Sequence, residues 1–346
     1  MLDRELVEAV KLAREAGDVL MAVYATDFDV DHKGANDPVT QADRQANELL
    51  VQRLREAFPN DGIVAEESED KSDALRRGRC WYIDPLDGTK EFISRNGEFS
   101  VMIGLAVDGE ARLGVVYRPV GDRLYRGVVG DSAFVDVDDR TFALRGSAVS
   151  VAKDLRLVVS RSHRSGSTDA LVKRLGIENE TKSGSVGLKV GLIAQRDADL
   201  YVHLSEHSWA WDACAPEAIL RAAGGAFTDL GGRGFHYGGD ELRNRRGILA
   251  CNNGNTLQNV LEVVSAIAGE NGLLAEPGDE DEDDESLTSS VRPSSGAFGP
   301  DTDDADTGEA DTGEAEAADS GERDSDAGDL EDSGERETDV SESDED

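Results

Sequence analysis

One stretch of sequence, WYIDPLDGTKEF at positions 81–92, decides how the rest of the chain is interpreted. It begins as an apolar strand, and Pro85 is expected to stop that strand because proline fixes one backbone angle and removes an N–H donor. Asp84 and Asp87 can then converge on one point, with the carbonyl of Leu86 between them. This spacing predicts a small, oxygen-lined site at the end of a strand.

The residues after Asp87 are predicted to bind phosphate. Gly88 and Thr89 can begin a helix that continues to Phe92, and a helix N-terminus offers N–H groups to a phosphate. Carboxylates beside such a site repel an anion unless a cation lies between them, and Mg²⁺ is the divalent cation that best suits hard oxygen ligands. The alternative is that Asp84 caps a turn and Asp87 caps a helix.

Three further acidic groups lie at the ends of predicted elements. They are Asp37 with Asp43 at the start of a helix, Glu66 with Glu67 after a strand, and Asp212 where the chain enters another helix. Taken singly, the two glutamates are typical of a solvated turn, and Asp212 is typical of a helix N-cap.

The hydrophobic pattern predicts a layered α+β or α/β sandwich, in which helix and sheet layers alternate. The first half reads as two helices against an antiparallel sheet, with helices at 6–24 and 40–58 and strands at 62–65, 79–84, 99–107, 112–117, 123–129, 132–136 and 148–151. The second half alternates, with strands at 155–160, 199–204, 226–229 and 247–250 and helices at 169–175, 186–195, 212–223 and 256–268. We expect a metal-binding lobe over 1–152, a smaller substrate lobe over 153–270 and an acidic tail over 271–346.

The tail differs in composition from the rest of the chain. Residues 276–346 hold 30 Asp and Glu, 3 Arg and no Lys, whereas the 275 residues before them hold 43 acidic and 33 basic side chains. Such a segment cannot bury enough apolar surface to offset its chain entropy, so we expect it to be disordered. The acidic balance indicates a halophilic protein; the alternative is an ordinary acidic protein with an acidic tail.

The remaining composition bears on location and partners. Three widely spaced cysteines without a CxxC motif favour a reducing compartment over a disulfide or zinc framework. The charged, amphipathic start is unlike a signal peptide, and no apolar run approaches the length of a membrane span. We therefore expect a cytoplasmic protein that binds neither membrane nor nucleic acid polymer, since its surface is acidic.

Four segments together resemble the signature motifs of the inositol monophosphatase superfamily, in order and in spacing. They are DPVTQAD (37–43), AEES (65–68), WYIDPLDGTKEF (81–92) and WDACAPEAILRAAGG (211–225), within a similarity over roughly residues 5–268. The superfamily comprises Mg²⁺-dependent phosphomonoesterases that Li⁺ inhibits. The resemblance implies that fold, that activity, a small phosphorylated metabolite as substrate and the possibility of a homodimer.

The resemblance also implies roles for individual residues. The metal ligands, for two or three Mg²⁺ ions, would be Glu66, Asp84, the carbonyl of Leu86, Asp87 and Asp212. The catalytic group would be Asp43, Thr89 and Glu66, with Asp43 orienting the Thr89 hydroxyl so that the pair activates the attacking water. The N–H groups of Gly88 and Thr89 would hold phosphate oxygens. One metal would activate the water and another would stabilise the leaving oxygen.

The substrate is harder to infer, because the superfamily includes enzymes for inositol phosphates, fructose bisphosphate and nucleotides with a 3′-phosphate. Three segments resemble the nucleotide branch, namely DPLDGTKEF (84–92), SRSH (160–163) and SGSVGLK (183–189). By that resemblance Gly184 and Ser185 would contact the ribose phosphate region, and Lys189 and His163 the second phosphate or the base. The alternatives are that Gly184 and Ser185 only begin a helix, that Lys189 is a surface lysine and that His163 is a turn residue.

One position departs from the nucleotide pattern. Nucleotidases of this type often carry Arg two residues after the Tyr of the following strand, where this chain has His203. Losing a guanidinium removes a bidentate phosphate clamp. The sequence therefore favours a 3′(2′),5′-bisphosphate nucleotidase acting on 3′-phosphoadenosine 5′-phosphate. It leaves open an inositol-1-phosphate or fructose-1,6-bisphosphate phosphatase, and a non-catalytic regulatory protein that acts through its acidic tail.

Overall fold

The first layer consists of two long helices joined by a short hairpin. In the computed structural model, which describes residues 2–34, 37–68, 77–162, 164–239 and 241–275, they are α1 (Asp3–Tyr24) and α2 (Gln41–Ala57), with strands β1 (Val30–Gly34) and β2 (Asp37–Thr40) between them. Apolar side chains at helical spacing, such as Leu12, Leu20, Leu50 and Leu54, are fully buried between the helices and the sheet beneath. Both predicted helices are confirmed, whereas the hairpin was not predicted.

The second layer is a seven-stranded sheet. Its strands follow chain order and are β3 (Gly62–Ala65), β4 (Arg79–Asp87), β5 (Ser100–Val107), β6 (Glu110–Arg118), β7 (Arg123–Val128), β8 (Ala133–Val137) and β9 (Arg140–Ala143). All neighbours are antiparallel except β3 and β4, which are parallel. The strand predicted at 148–151 is wrong: the sheet ends instead at β9, and a short 3₁₀ turn follows at Ala152–Asp154. All four residues of β9 are exposed, so it lacks the apolar alternation that identifies a strand in sequence.

A second, five-stranded sheet belongs to the second half of the chain. Its strands are β10 (Arg156–Ser160), β11 (Asn179–Ser183), β12 (Leu200–His203), β13 (Ala226–Thr228) and β14 (Ile248–Cys251), in the order β11-β10-β12-β14-β13. Strand β11 was not predicted, because its sequence NETKS is polar and its first four residues are exposed. It is nevertheless paired with β10 along its whole length, at the sheet edge.

Four helices cover the two faces of this smaller sheet. They are α4 (Gly166–Leu175), α5 (Val186–Ala194), α6 (Ala210–Ala222) and α7 (Gly254–Glu270). Alternate strand residues point to opposite sides: Leu157 packs with α4 and α7, whereas Val158 packs with α5 and α6. The α5–α6 layer also contacts the seven-stranded sheet, so helix and sheet layers alternate through the molecule. The predicted layered α+β fold is confirmed.

A line of glycines allows α6 to approach the seven-stranded sheet closely. Gly104, Gly114 and Gly127 are direct cross-strand partners on β5, β6 and β7. A Cβ atom on Gly114 would lie 2.1 Å from the backbone oxygen of Ala215, and one on Gly104 would lie 2.7 Å from the Ala215 nitrogen. The helix therefore rests on bare backbone, and this contact fixes the position of its first turn.

The division into lobes at residues 152 and 153 stays a prediction. Of the predicted disordered tail, residues 276–346 lie outside the described residues, as does His163, whereas residues 271–275 are described. Among those that are described, no helix is both long enough and apolar enough to cross a bilayer.

Candidate active site

The site is centred on an irregular strand end. Strand β4 pairs with β5 in regular register as far as Asp84, and the register shifts between Asp84 and Asp87. The expectation that Pro85 stops the strand is wrong, because the strand continues through this irregularity to Asp87. Proline is tolerated at such a point, since no regular ladder bond is required from it. The backbone N–H of Leu86 donates to Asp84 Oδ1 at 2.9 Å, which holds that carboxyl at the bend.

Four carboxyls from three elements face one another here. Glu66 follows β3, whose pairing with β4 is extended by a hydrogen bond from the Glu66 N–H to the carbonyl of Ile83 at 3.0 Å. Burial, followed by repulsion from Glu66, Asp87 and Asp212, raises the pKa of Asp84 well above its usual value. Burial and repulsion from Asp87 and Glu66 do the same to the pKa of Asp212. The structure thus brings together the four predicted carboxylate ligands.

Asp212 serves as a helix cap as well as a member of this cluster. It lies in the first turn of α6, and the N–H of Trp209 donates to its Oδ2 at 2.7 Å. The sequence predicted Asp212 to be either a helix cap or a metal ligand. The geometry satisfies the cap and still places the carboxyl beside Asp84 and Asp87, because α6 is held close to the sheet by Gly104 and Gly114.

Asp43 shows the same double use on α2. Its Oδ2 accepts from the backbone N–H of Thr40 at 2.8 Å and from the Thr40 hydroxyl at 2.6 Å, which forms a capping box. Its other oxygen accepts the hydroxyl of Thr89 at 3.1 Å. The Thr89 hydroxyl also lies 3.3 Å from the carbonyl of Leu86. The predicted contact between Asp43 and Thr89 is therefore present.

The turn between β4 and the next helix has the geometry that the sequence predicted. Helix α3 spans Thr89–Ile93, and Gly88 precedes it with a φ of 99°, a left-handed conformation that favours glycine. The first N–H groups of a helix have no partner within that helix. The N–H groups of Gly88 and Thr89 lie at this helix start, and their predicted contact with phosphate stays a prediction.

Asp87 is held from the opposite side by the start of α5. The Ser185 hydroxyl donates to Asp87 Oδ2 at 2.5 Å, and the N–H of Gly187 donates to the same oxygen at 2.9 Å. Ser185 adopts a φ of 51° and is buried, and it also lies 2.9 Å from the hydroxyl of Ser100. It caps α5 as well, accepting from the N–H of Leu188. The helix-start interpretation of Ser185 is therefore present, and its predicted contact with substrate stays a prediction.

Lys189 is a buried cation behind these carboxyls. It is 4% exposed, so the surface-lysine alternative is wrong. Its ammonium lies 5.1 Å from the ring centre of Tyr201. Burial lowers its pKa, and attraction to Asp87 and Glu91 opposes that shift. The geometry makes Lys189 a fixed counter-charge for the cluster, and its predicted contact with a second phosphate stays a prediction.

The three segments that resembled the nucleotide branch contact one another. The Ser162 hydroxyl donates to Glu91 Oε1 at 2.5 Å, and Arg161 pairs with Glu98 through two hydrogen bonds of 2.6 Å. Gly184 lies beneath both acids: its N–H donates to Glu98 at 2.7 Å, and a Cβ atom there would lie 2.4 Å from Glu91 Cγ. Glu98 was missed in the sequence, because an isolated acid in a loop carries no pattern.

A second group was also missed, formed by His207, Trp209 and Arg243. His203 Nε2 lies 3.3 Å from the carbonyl of His207, and the guanidinium of Arg243 lies 2.9 Å from His207 Nδ1. Arg243 also lies 5.9 Å from the ring centre of Trp209. A guanidinium therefore stands near the position where His203 departs from the nucleotide pattern, although it comes from a segment forty residues further along the chain. The sequence feature that could have indicated this group is Trp209, which lies three residues before Asp212 in a WxWD sequence.

The donor set fits a hard divalent cation. Within the described part of the chain, no three His, Cys, Asp or Glu side chains converge closely enough to form a metal site as they stand. The carboxyl of Asp84 nevertheless lies within hydrogen-bonding reach of the carboxyls of Glu66 and Asp212. Buried, mutually repelling carboxyls with only oxygen donors are stabilised by a cation such as Mg²⁺. Their chemistry therefore fits the ion that the sequence predicted.

Comparison with known proteins agrees with this geometry. Residues 1–268 match the model of the inositol monophosphatase family. A 3′(2′),5′-bisphosphate nucleotidase CysQ from Escherichia coli O157:H7 is 37% identical over 235 residues, which cover 67% of this chain and 93% of that protein. The crystal structure of CysQ from Bacteroides thetaiotaomicron has a TM-score of 0.61 and 30% identity, and covers 71% of this chain and 96% of its own. That of the extragenic suppressor protein suhB from Bartonella henselae has a TM-score of 0.64 and 27% identity, with 77% and 98% covered.

Proposed function

The chain belongs to the inositol monophosphatase family and is a phosphoric monoester hydrolase, and from that premise we propose that it is a Mg²⁺-dependent 3′(2′),5′-bisphosphate nucleotidase. Phosphatases of this family depend on metal ions and act on small phosphorylated metabolites. The observation that carries the proposal is the Thr89 hydroxyl, which donates to Asp43 beside the cluster of Asp84, Asp87 and Asp212.

The protein's own groups would act on the attacking water. Because the Thr89 hydroxyl donates a hydrogen bond to Asp43 Oδ1, its lone pairs are directed away from that carboxyl and can accept a hydrogen bond from water. Asp43 is fixed by Thr40, so it does not reorganise during the reaction. The N–H groups of Gly88 and Thr89 would hold the non-bridging phosphate oxygens and so orient the phosphorus toward that water. Bound Mg²⁺, held by Glu66, Asp84, Asp87, Asp212 and the Leu86 carbonyl, would supply Lewis acidity and offset the carboxylate charge.

The nucleotide assignment has separate support. A relative that carries this name is 37% identical over 67% of the chain. The guanidinium of Arg243 lies beside His207, which also contacts His203, so it is available to bind the second phosphate that an arginine at position 203 would have bound. Arg243 also pairs with Glu206, which would compete for it.

The test is a phosphate-release assay with Mg²⁺. We expect 3′-phosphoadenosine 5′-phosphate to be hydrolysed with a higher kcat/KM than inositol-1-phosphate or fructose-1,6-bisphosphate. The variant Asp84→Asn should lose at least about 100-fold in rate, because it removes a metal-facing charge. A preference for either of the other substrates would contradict the nucleotide assignment, and near-normal rates for Asp84→Asn would contradict the metal site.

The variant Arg243→Gln tests whether Arg243 binds the second phosphate of the substrate and not the one that is hydrolysed. We expect it to raise KM for 3′-phosphoadenosine 5′-phosphate about tenfold and to leave KM for adenosine 3′-monophosphate unchanged, because only the first substrate carries a 5′-phosphate. Arg245→Gln is the matched control, since Arg245 pairs with Glu241 on the surface. Equal effects on both substrates would remove Arg243 from the proposal.

A further inference from the structure

Trp209 is an unusually exposed aromatic side chain for its position beside the site. It is 41% exposed, whereas Trp211, two residues later, is 5% exposed. The two indoles are parallel within 6°, and their ring centres are 5.2 Å apart. This is an offset stack, which covers only part of one indole face and leaves much of the ring open to solvent.

The backbone of Trp209 is fixed by its neighbours. Its N–H donates to Asp212 Oδ2 at 2.7 Å, and its carbonyl accepts from the side-chain amide of Asn244 at 2.6 Å. It also forms an isolated β-bridge with Arg243. A ring held by three backbone contacts and by the Trp211 stack loses little conformational freedom when a ligand binds, so binding to it costs less.

The position of this ring relative to the carboxyl cluster indicates what it binds. The backbone N–H of Trp209 donates to Asp212, so the ring projects from a backbone position that adjoins the predicted metal-binding carboxyls. A nucleotide carries an aromatic base one ribose away from its phosphates, whereas sugar and inositol phosphates have no aromatic face. Stacking on an aromatic side chain requires only that face and no particular pattern of hydrogen bonds.

We propose that Trp209 forms the base-stacking surface of this site and selects nucleotides over sugar and inositol phosphates. The inference rests on the proposed nucleotidase function and assigns its specificity to one side chain. The buried Trp211 stacks on the Trp209 ring, and the Arg243 guanidinium lies over that ring, 5.9 Å from its centre, where it adds positive charge.

The experiment measures binding, so that it does not depend on turnover. Isothermal titration in Mg²⁺ compares adenosine 5′-monophosphate with ribose 5-phosphate, which lacks the base. The variants are Trp209→Leu, which keeps apolar contact with Trp211 without an aromatic face, and Trp209→Phe, which restores the face. Both keep the backbone N–H that donates to Asp212. Phe142→Leu is the matched control, because Phe142 is also 41% exposed but lies on β9.

We expect the unmodified protein to bind adenosine 5′-monophosphate at least about tenfold more tightly than ribose 5-phosphate. Trp209→Leu should lower the affinity for adenosine 5′-monophosphate by about 5- to 100-fold and leave the affinity for ribose 5-phosphate unchanged. Trp209→Phe should retain most of the affinity for adenosine 5′-monophosphate. Phe142→Leu should change neither. Thermal unfolding of each variant establishes that it is folded before it is titrated.

Two results would overturn the inference. The first is equal affinity of the unmodified protein for the two ligands. The second is an equal loss for both ligands in Trp209→Leu, which would mean that the side chain acts only through the structure around Asp212. Failure of the nucleotidase proposal is distinguishable, because it would appear as absence of phosphate release from nucleotides while the base-dependent binding persisted.

Discussion

Replacing Gly114 by alanine should damage both stability and catalysis, although residue 114 contacts neither substrate nor any predicted ligand. The new Cβ would lie 2.1 Å from the backbone oxygen of Ala215, whereas ordinary contact begins near 3.4 Å. The clash is with backbone on a buried helix, so no side-chain rotation relieves it. Helix α6 must therefore lift by about 1 Å, and overpacking of this kind costs about 1–3 kcal/mol or more.

The same displacement carries Asp212 away from Asp84 and Asp87, because Asp212 lies in the first turn of α6, one turn before Ala215. A misplacement of about 1 Å at a reacting centre can cost about 100-fold in rate. We expect Gly114→Ala to lower the free energy of unfolding by about 1–3 kcal/mol and kcat/KM by about 100-fold. Urea denaturation and phosphate release, measured on the same preparation, give the two numbers.

Gly269→Ala provides the control. Gly269 lies in the last turn of α7, where a Cβ atom would meet nothing within 4 Å. It should leave activity unchanged and raise stability by up to about 1 kcal/mol, because alanine is the better helix former. If Gly114→Ala kept normal stability and activity, the reasoning that α6 is positioned by contact with bare strand backbone would be refuted.

Three further predictions concern Asp87, a buried acid and the acidic tail. Ser185→Ala removes the hydroxyl that donates to Asp87 and should lower apparent Mg²⁺ affinity in activity titrations by about 10- to 100-fold, whereas an unchanged titration would mean that the hydroxyl does not orient Asp87. Burial raises the pKa of Glu217 from 4.5 to about 7, so its contribution to stability is complete below pH 4.5 and is lost as the pH rises through 7. Between pH 5 and pH 8 the free energy of unfolding in urea should therefore fall by about 2–3 kcal/mol less in Glu217→Gln than in the unmodified protein. Parallel pH profiles of the two proteins would contradict this. A chain ending at Ala275 should keep full phosphatase activity, because the family match ends at residue 268 and Arg246 donates to the carbonyl of Leu274; loss of activity would show that the tail is required.

The sequence by itself determined the fold class and the reaction. Apolar periodicity predicted α1, α2 and most strands, because a buried face leaves a regular pattern in the chain. The run from Asp84 to Thr89 predicted the carboxyl cluster, since proline, glycine and two acids at fixed spacing leave few local conformations. Strands β9 and β11 were missed because they are polar edge strands without that pattern.

Only the tertiary structure decided how separate segments share one site. Sequence spacing treats Lys90-Glu91 and SRSH as two signatures, whereas the structure joins them through the hydrogen bond between Ser162 and Glu91. It likewise sets Arg243 beside His207 and near Trp209, and it gives Asp43 and Asp212 both a cap and a place at the cluster. Contacts between residues far apart in the chain depend on how the layers pack, and a local pattern carries no record of that packing. The glycines that set the distance from α6 to the sheet become interpretable only when cross-strand register aligns Gly104 with Gly114 and Gly114 with Gly127.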